Sequence, residues 1–514
     1  MVDAGSQGTP ISSGIYGVAL NSDDSMQIVS LNRWGGDATT SYNWQNDAYN
    51  SGADWYCANY TWSFTGGSPD PSLKTASDQF IHYDITKKVD TLMTVPITGW
   101  VASMPTPYSA LQSNADCSGS YGGPGGDQGK CCAELGTTYN TLVDKGSSVL
   151  DTSFVSDWVK HLKSTFGSAA SGGVKYYQLD NEPDNWQYLR KDIYPAFYPP
   201  GTGCEPFYST NAAIGKSLDQ DFKDRTIAYA KAVKGADPTA KVLFMSTENA
   251  WDLVALPNNE CGNPVGPYTV DNSMTQAILK LAVSEEQKTG ARLLDCVDMH
   301  YPFPGAGLGD TRALWDPQFT QYNTPVVPPH VQGWINSTYP GTGICVSEYN
   351  VPKDGGDGKA PDPSTAAQLA DIFGMYGRLG YQVAAYWGSF VYKGTHLPTY
   401  NALAMYRNYD GAGGKFGAYS LGAASSNSGV NVYASSDAAK SPNKVWVMLV
   451  NVSGSDQNGL SVAVQNFAAT GTAAIYRADA SQAPTAGTPV AITGGAVSGL
   501  SLPSNSLALL VLSK

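Results

Sequence analysis

The chain has few charged residues and no long apolar run. Asp, Glu, Lys and Arg make up 15% of its 514 residues. A helix that crosses a membrane needs about 20 consecutive apolar residues, and no such run occurs, so no membrane partner is expected. Acidic residues outnumber basic ones, 44 to 31. The net charge of −13 argues against nucleic acid as a partner and favours a neutral substrate.

Several metal-binding and catalytic motifs are also missing. The histidines form no His-Glu-x-x-His pair, and the cysteines form no Cys-x-x-Cys pair. No Gly-rich phosphate loop precedes a helix, and no Gly-x-Ser-x-Gly elbow presents a serine. These absences disfavour a zinc hydrolase, a phosphate-binding enzyme and a serine hydrolase. We therefore expect a reaction that requires no cofactor.

Cysteine and aromatic residues, in contrast, are plentiful. Eight cysteines are many for a cytosolic hydrolase and predict a secreted, extracellular protein, with eight buried thiols as the alternative. The start at Met1, Val2 and Asp3 has no basic and apolar leader, as in a mature sequence. The 12 Trp and 31 Tyr residues suit a protein that stacks aromatic rings on sugars.

Apolar strand segments alternate with helical segments over most of the chain. After a short strand at Ile15–Leu20, the predicted barrel strands are Ile28–Trp34, Asp54–Tyr60, Leu92–Ile97, Tyr176–Pro183, Lys241–Thr247, Leu293–Tyr301, Thr342–Glu348 and Gln382–Phe390. This alternation implies a parallel sheet, and eight such units imply a closed (β/α)8 barrel, which is an α/β fold. We predict that the barrel covers residues 12–415.

The pattern changes after about residue 415, where helical spacing ends. Short apolar strands separated by turn residues follow, which is typical of an all-β sandwich. We predict a β-sandwich domain over residues 416–514, joined by residues 1–11. No Pro-rich or Ser-rich linker separates the two units, so we expect rigid docking. We also expect a monomeric protein.

Two of the predicted strands end in glutamate. Glu182 lies between Asn181 and Pro183, and the proline ends the strand because it removes a hydrogen-bond donor. Glu348 ends the seventh strand. The carboxyl ends of parallel strands meet at one face of a barrel, so the two carboxylates can serve as acid/base and nucleophile of a retaining glycosidase. Either glutamate alone has a simpler interpretation, as a helix cap or an ion-pair partner.

The segments Asn32–Trp44 and Ser51–Trp55 resemble the signature of glycoside hydrolase family 44. That family contains endo-β-1,4-glucanases, many of them also active on xyloglucan, and the resemblance extends over nearly the whole chain. It implies that Glu182 is the acid/base and Glu348 the nucleophile of a retaining enzyme that hydrolyses cellulose-type glucans. A retaining glycosidase for xylan or mannan is one alternative. A carbohydrate-binding protein without catalysis is another, and the presence of both glutamates counts against it.

Candidate substrate-binding residues lie near the same strand ends. Asn181 can bind the 2-hydroxyl of a sugar, and Tyr301 can donate to the nucleophile or pack at the barrel rim. Trp387 is predicted as the floor under the reacting sugar, with packing inside the barrel as its alternative. Four further residues, Arg33, Trp34, Trp44 and Trp62, belong to the region where a glucan chain would lie. We expect at least two of the four tryptophans to line the groove.

One acidic loop is a candidate metal site. Asp354, Asp357 and Asp362 offer the oxygen ligands that Ca²⁺ prefers, so a structural calcium ion is one interpretation. A solvated loop without metal is the favoured one. A disulfide between Cys204 and Cys261 is also predicted, because both residues follow neighbouring barrel strands.

Overall fold

The computed structural model describes residues 1–50, 59–102, 139–141, 152–186, 215–248, 250–256, 267–300 and 328–514. Within them, eight parallel strands form a closed barrel, and a mixed, largely antiparallel sheet is built from the C-terminal segment and the first ten residues. None of the described helices combines the length and the apolarity that a bilayer crossing requires.

The barrel strands are labelled β1 to β8 in chain order. They are Gly17–Ala19, Leu31–Trp34, Asp90–Val95, Tyr176–Leu179, Lys241–Thr247, Cys296–His300, Gly343–Tyr349 and Val383–Tyr386. Each strand is parallel to its neighbours, and β1 closes the barrel by pairing with both β2 and β8. The predicted (β/α)8 barrel with an all-β C-terminal unit is confirmed.

The predicted order of the first two barrel strands was wrong. Leu31–Trp34 is the second barrel strand, because Gly17–Ala19 is the first. The strand Gly17–Ala19 has only three residues. It begins with glycine because a Cβ at Gly17 would lie 2.5 Å from the carbonyl oxygen of Ala384. Residues 54–58 lie outside the described residues, and Asn59–Thr61 pairs with Ala48–Asn50 in a separate hairpin.

Seven described helices, labelled α1 to α7, accompany the strands. They are Ala76–Lys87, Ser153–Phe166, Leu218–Ala236, Met274–Thr289, Pro328–Thr338, Thr365–Leu379 and Pro398–Arg407. Their ends follow local chemistry: Ser273 and Gln276 form a capping box at the start of α4, and Gly290 ends that helix in the left-handed conformation. On α2, Phe154, Trp158 and Leu162 recur at helical spacing and are buried.

The lower interior of the barrel is apolar and cross-linked. One layer contains Leu31, Leu92, Tyr176, Leu243, Val383 and Ala385, together with two cysteines. These two, Cys296 of β6 and Cys345 of β7, form a disulfide. The predicted pair Cys204 and Cys261 lies outside the described residues. The disulfide therefore joins the two strands whose upper ends carry His300 and Glu348.

The C-terminal unit is one eleven-stranded sheet. Its strands are Val2–Asp3, Thr9–Pro10, Tyr419–Ala423, Val430–Ser436, Lys444–Asn451, Gln457–Gln465, Thr472–Ala478, Thr485–Ala486, Val490–Thr493, Ala496–Leu502 and Leu507–Ser513. Val2–Asp3 pairs with both Gln457–Gln465 and Tyr419–Ala423, so the two ends of the sheet meet at this strand. The sheet encloses its own apolar core, which includes Val447, Leu449 and Leu510.

Buried polar contacts attach this sheet to the barrel. Asp371 of α6 accepts hydrogen bonds from Nδ2 of Asn431 at 2.6 Å and from the hydroxyl of Tyr433 at 2.7 Å. Next to them, a Cβ at Gly374 would lie 2.3 Å from the Tyr433 ring. The glycine thus allows the close approach of the helix and the sheet.

Candidate active site

The backbone that presents Glu182 is held in an uncommon conformation. Asp180 and Glu182 both have positive φ angles, 66° and 45°. The carboxylate of Asp180 supports the turn by accepting from the backbone N–H of Ile97 at 2.7 Å and of Asn181 at 2.9 Å. The N–H of Glu182 donates to the carbonyl oxygen of Ser246 on β5. Such conformations persist only where the surroundings fix them, and they concentrate at functional sites.

Glu348 and His300 lie opposite each other on neighbouring strands. The pairing of β6 with β7 shifts register between Asp298 and His300, so that His300 is paired with Glu348. Asp298 fixes this irregularity by accepting from both the backbone N–H and the hydroxyl of Ser347, at 2.9 and 2.6 Å. A bulge of this kind re-aims side chains at a barrel rim.

Three side chains, from the turn after β4 and from β6 and β7, converge at this end of the barrel. The Nδ1 atom of His300 lies 2.7 Å from Oε1 of Glu182 and 3.7 Å from Oε2 of Glu348. One carboxylate oxygen from each glutamate and a ring nitrogen of His300 lie within 4.8 Å of one another. All three residues are largely buried. The structure therefore brings together the two glutamates that the sequence predicted as a pair.

Arg33 of β2 connects this group to its surroundings. Its guanidinium donates to Oε2 of Glu348 at 2.6 Å, to Oδ1 of Asn181 at 2.6 Å and to Oε1 of Gln178 at 2.9 Å. The Arg33 side chain is fully buried. A buried arginine needs such partners, because an unpaired charge in this environment is very costly.

The two glutamates differ in their electrostatic environment. Burial raises the pKa of Glu182 well above its usual value, and the neighbouring charges of Glu348 and Glu248 raise it further. Glu348 instead shares an ion pair with Arg33. Burial lowers the pKa of His300 to about 4, so its ring is neutral at ordinary pH. The two neighbouring carboxyl groups thus differ in their surroundings, since Glu348 has a buried cation as partner and Glu182 has a raised pKa.

Metal binding fits this group poorly. Among the described residues, Glu182, His300 and Glu348 form the single cluster with the spacing of metal ligands. However, the guanidinium of Arg33 already occupies Oε2 of Glu348 and places a positive charge where a cation would bind. The cluster therefore resembles a hydrogen-bonding network more than a metal centre.

The three aspartates of the acidic loop do not come together as one group. Asp354 accepts from the hydroxyl of Tyr386 and the N–H of Ser389. Asp357 and Asp362 each accept from a backbone N–H two residues further on. Asp357 and Asp362 are thus turn-forming acceptors, whereas Asp354 joins distant segments. The solvated loop stays the favoured prediction, and a calcium ion there stays the alternative.

Asn181 is oriented by contacts on both sides of its amide. Its Oδ1 accepts from Arg33 and from the N–H of Gly36 at 3.2 Å, and its Nδ2 donates to Oδ1 of Asp37 at 2.8 Å. The amide oxygen is thus fully used within the protein, and one hydrogen of the NH₂ group is held by Asp37. The other hydrogen has no partner in the part of the chain that the structure describes.

The aromatic residues predicted to bind substrate differ in their exposure to solvent. Trp387 is 37% exposed, and its ring lies beside Gly36 at the mouth. Trp34 is fully buried and stacks on Trp62 at 4.3 Å, so its prediction as a substrate-binding residue was wrong. Trp44 is half-buried and stacks on His161 of α2, in the helix layer. Tyr301 lies outside the described residues.

The sequence analysis missed several residues that organise the site. It gave no role to His300, Gln178, Asp298 or Ser347. Their signal is visible in retrospect: polar side chains occur within otherwise apolar barrel strands, all near the carboxyl end. Such residues are expensive to bury and usually mark a site.

Comparisons with known proteins agree with this geometry. The family model for glycoside hydrolase family 44 matches residues 48–304, half of the chain. Endoglucanase A of Paenibacillus lautus is 27% identical over 480 residues, which cover 84% of this chain and 61% of that protein. The Beta-mannanase/endoglucanase A of Caldicellulosiruptor saccharolyticus is 25% identical over 490 residues, which cover 86% of this chain and 33% of that protein.

The chain therefore spans about three fifths of the length of the Paenibacillus lautus protein and about a third of the length of the Caldicellulosiruptor saccharolyticus protein. Among solved structures, CelM2, a bifunctional glucanase-xylanase from a metagenome library, is 26% identical with a TM-score of 0.75, and the match covers 100% of this chain and 98% of CelM2. A xyloglucanase from Paenibacillus polymyxa shares the fold, with a TM-score of 0.76 and 22% sequence identity. The match covers 100% of this chain and 99% of the xyloglucanase chain.

Proposed function

The chain belongs to glycoside hydrolase family 44, and on that premise we propose that it is a retaining endo-β-1,4-glucanase acting on cellulose-type glucans and xyloglucan. The observation that carries the proposal is the short separation of the carboxyl groups of Glu182 and Glu348, which have one oxygen each within 4.8 Å of the other. Retaining enzymes hold these groups about 5–5.5 Å apart, whereas inverting enzymes need about 6.5–9.5 Å to admit a water molecule.

The reaction has two displacement steps. In the first, an oxygen of Glu348 bonds to the anomeric carbon, the bond to the departing sugar breaks, and Glu182 gives its proton to the departing oxygen. In the second, Glu182 takes a proton from water while the water oxygen bonds to the anomeric carbon and Glu348 is released. The sum is the addition of one water molecule to the glycosidic bond, and the β configuration is retained.

The environments of the two glutamates support these roles. A general acid must hold its proton when the substrate binds, and the raised pKa of Glu182 meets that need. A nucleophile reacts as an anion, and Arg33 supplies a buried cation that donates to Oε2 of Glu348 at 2.6 Å. This asymmetry supports the assignment of the acid to Glu182, after β4, and of the nucleophile to Glu348 on β7.

The nature of the substrate rests on the relatives and on the mouth of the barrel. One is named endoglucanase, one beta-mannanase/endoglucanase, one a glucanase-xylanase and one a xyloglucanase. The exposed ring of Trp387 provides a face for a sugar, and the remaining N–H of Asn181 provides a donor for a hydroxyl. We further propose an extracellular location, because a polymeric glucan does not enter cells and the buried Cys296–Cys345 disulfide suits an oxidising compartment.

A substrate panel tests the proposal. Release of reducing ends should be measured on carboxymethylcellulose, xyloglucan, xylan and mannan, with binding to each polymer measured in parallel. We expect hydrolysis of the first two with a rapid fall in viscosity, as for internal cleavage, and a β-configured product by early-time NMR. Preference for xylan or mannan would favour the alternative glycosidase, and binding without hydrolysis would favour a binding protein.

A further inference from the structure

The amide of Asn181 lies one guanidinium away from the proposed nucleophile. Nη1 of Arg33 donates to Oε2 of Glu348, and Nη2 of the same group donates to Oδ1 of Asn181, both at 2.6 Å. In the first displacement step an oxygen of Glu348 bonds to the anomeric carbon, and the next carbon of the sugar ring carries the 2-hydroxyl. The amide is therefore within reach of the 2-hydroxyl of the reacting sugar.

Partners of opposite chemistry define which end of this amide is oxygen and which is nitrogen. Oδ1 of Asn181 accepts from Arg33 and from the backbone N–H of Gly36, whereas Nδ2 donates to Oδ1 of Asp37 at 2.8 Å. A flipped amide would set its NH₂ group against a guanidinium, which can only donate, and its oxygen against a carboxylate, which accepts. The network of hydrogen bonds therefore assigns the two ends without ambiguity.

Asp37 is the partner that fixes the plane of the Asn181 amide. The contacts of Arg33 and Gly36 meet at the single atom Oδ1, and contacts at one end restrain the tilt of an amide less than contacts at both ends. The two hydrogens of the NH₂ group lie in the amide plane, so a hydrogen bond to one of them also fixes the direction of the other. The contact with Asp37 thus sets where the second N–H of Asn181 points.

Asp37 is itself held at the mouth of the barrel by a short turn. It begins the 3₁₀ helix Asp37–Ser41, whose last three residues are buried. The hydroxyl of Thr39 donates to the carbonyl oxygen of Gly36 at 2.6 Å, and Gly36 has a φ of 93°, which glycine adopts without strain. A Cβ at Gly36 would lie 3.1 Å from the ring of Trp387, the aromatic face proposed for a sugar. The turn therefore supports both the carboxylate and the wall of the mouth.

We propose that Asp37 is a positioning residue that holds the amide plane of Asn181 and thereby directs the second N–H of Asn181 at the 2-hydroxyl of the reacting sugar. This inference rests on the proposed retaining mechanism. Hydrogen bonds to the 2-hydroxyl strengthen in the transition state of glycoside hydrolysis. Asp37 then accelerates the first displacement step through Asn181, without touching the sugar.

A substrate without the 2-hydroxyl isolates this contact. We compare phenyl cellotrioside with an analogue whose sugar next to the phenyl group is 2-deoxy, because phenol leaves slowly enough for the first step to limit turnover. Asp37→Leu has a side chain of similar size without an acceptor. We expect its kcat/KM to fall about 30-fold on the parent substrate and less than about threefold on the 2-deoxy analogue. Each loss is measured against wild type on the same substrate, so the intrinsic reactivities of the two substrates cancel.

Two matched variants separate positioning from general damage to the mouth. Asp37→Asn keeps an acceptor oxygen for Nδ2 of Asn181, so its kcat on the parent substrate should return to within about fivefold of wild type. Thr39→Val removes a hydroxyl that supports the same turn but makes no hydrogen bond to Asn181, so any loss should be equal on the two substrates. In Asp37→Leu the loss on the parent should lie in kcat rather than KM, because the contact strengthens in the transition state.

Equal losses of Asp37→Leu on the two substrates would overturn the inference, since Asp37 would then act on something other than the 2-hydroxyl. A loss in Asp37→Asn as large as that in Asp37→Leu would also overturn it. Thermal unfolding of each variant checks folding, and Asp37→Ala provides the same comparison if Asp37→Leu does not fold. Active wild-type protein with either of these results contradicts the inference alone, whereas wild-type protein that hydrolyses no glucan contradicts the proposed function and the inference with it.

Discussion

At the scale of single residues, the proposed reaction depends on two carboxyl groups in different surroundings. Glu348 is paired with Arg33, and Glu182 is buried beside it without a cation of its own at hydrogen-bond distance in the described residues. The difference has a direct kinetic consequence, because only one of the two groups must carry a proton when substrate binds.

The two glutamine variants should therefore behave differently. Glu348→Gln removes the nucleophile, so we expect kcat to fall by more than about 1,000-fold on every substrate. Glu182→Gln loses proton donation and should keep most of its first-step rate on the 2,4-dinitrophenyl glycoside, measured as a burst of the phenol. Azide should accelerate turnover of Glu182→Ala and yield a β-glycosyl azide. An α-configured azide product would exclude the retaining assignment.

Arg33 is expected to be sensitive even to a conservative change. Its planar fork donates to Gln178, Asn181 and Glu348 at once, and the single ammonium of lysine cannot reach all three. We expect Arg33→Lys to lower kcat/KM by about 100-fold or more. Kinetics on carboxymethylcellulose measure the effect, with Arg378→Lys on α6 as a control. Near wild-type activity of Arg33→Lys would refute the role given to this network.

At the scale of elements, the turn after β4 depends on a buried carboxylate. Burial raises the pKa of Asp180 to about 6 from its usual value near 4. A raised carboxyl pKa disfavours the charged form in the folded protein. The contribution of Asp180 to the free energy of unfolding is therefore most favourable below about pH 4 and is progressively lost as the pH rises to about 6. This loss of stability is at most about 3 kcal/mol.

Asp180→Asn should remove this pH dependence. We expect the variant to be less stable overall, because an amide cannot accept all of the carboxylate's hydrogen bonds, yet to lose less of its stability than the wild type between pH 4 and pH 7. Urea unfolding at several pH values measures the difference. Asp357→Asn, in an exposed loop, is the control. If the stability of Asp180→Asn changes with pH as steeply as that of the wild type, the Asp180 carboxyl group is not the source of the pH dependence.

The disulfide between β6 and β7 is expected to stabilise the barrel. It closes a loop of 49 residues, and the loss of chain entropy in the unfolded state corresponds to about 4 kcal/mol. Replacing Cys296 and Cys345 together by alanine should lower the free energy of unfolding by a few kcal/mol, measured by urea denaturation without reductant. A double variant as stable as the wild type would show that packing of this layer suffices.

At the scale of the whole molecule, the barrel and the C-terminal sheet share a buried polar contact. Tyr433→Phe removes the hydroxyl that donates to Asp371 but keeps the ring against Gly374. Hydrogen bonds to charged groups contribute about 1.5–3 kcal/mol, so the variant should unfold at a lower temperature by calorimetry. Ser461→Ala, on the exposed face of the sheet, should have no effect. Equal melting temperatures for Tyr433→Phe and the wild type would refute this role.

The sequence by itself determined the architecture and the two glutamates. Strand and helix periods are local properties, and the two glutamates are marked by the short apolar runs before them and, for Glu182, by the adjacent Pro183. The same is true of the change to an all-β pattern after residue 415, because it depends on composition and turn residues. These features needed no knowledge of distant contacts.

The tertiary structure decided what depends on pairing between distant segments. Gly17–Ala19 is a barrel strand only because it fits between β2 and β8, and three residues carry no readable period. Trp34 and Trp387 have the same chemistry, yet packing buries the first and exposes the second. The contact of His300 with Glu182, 118 residues away, depends on barrel closure and on a register shift between β6 and β7, neither of which any local pattern encodes.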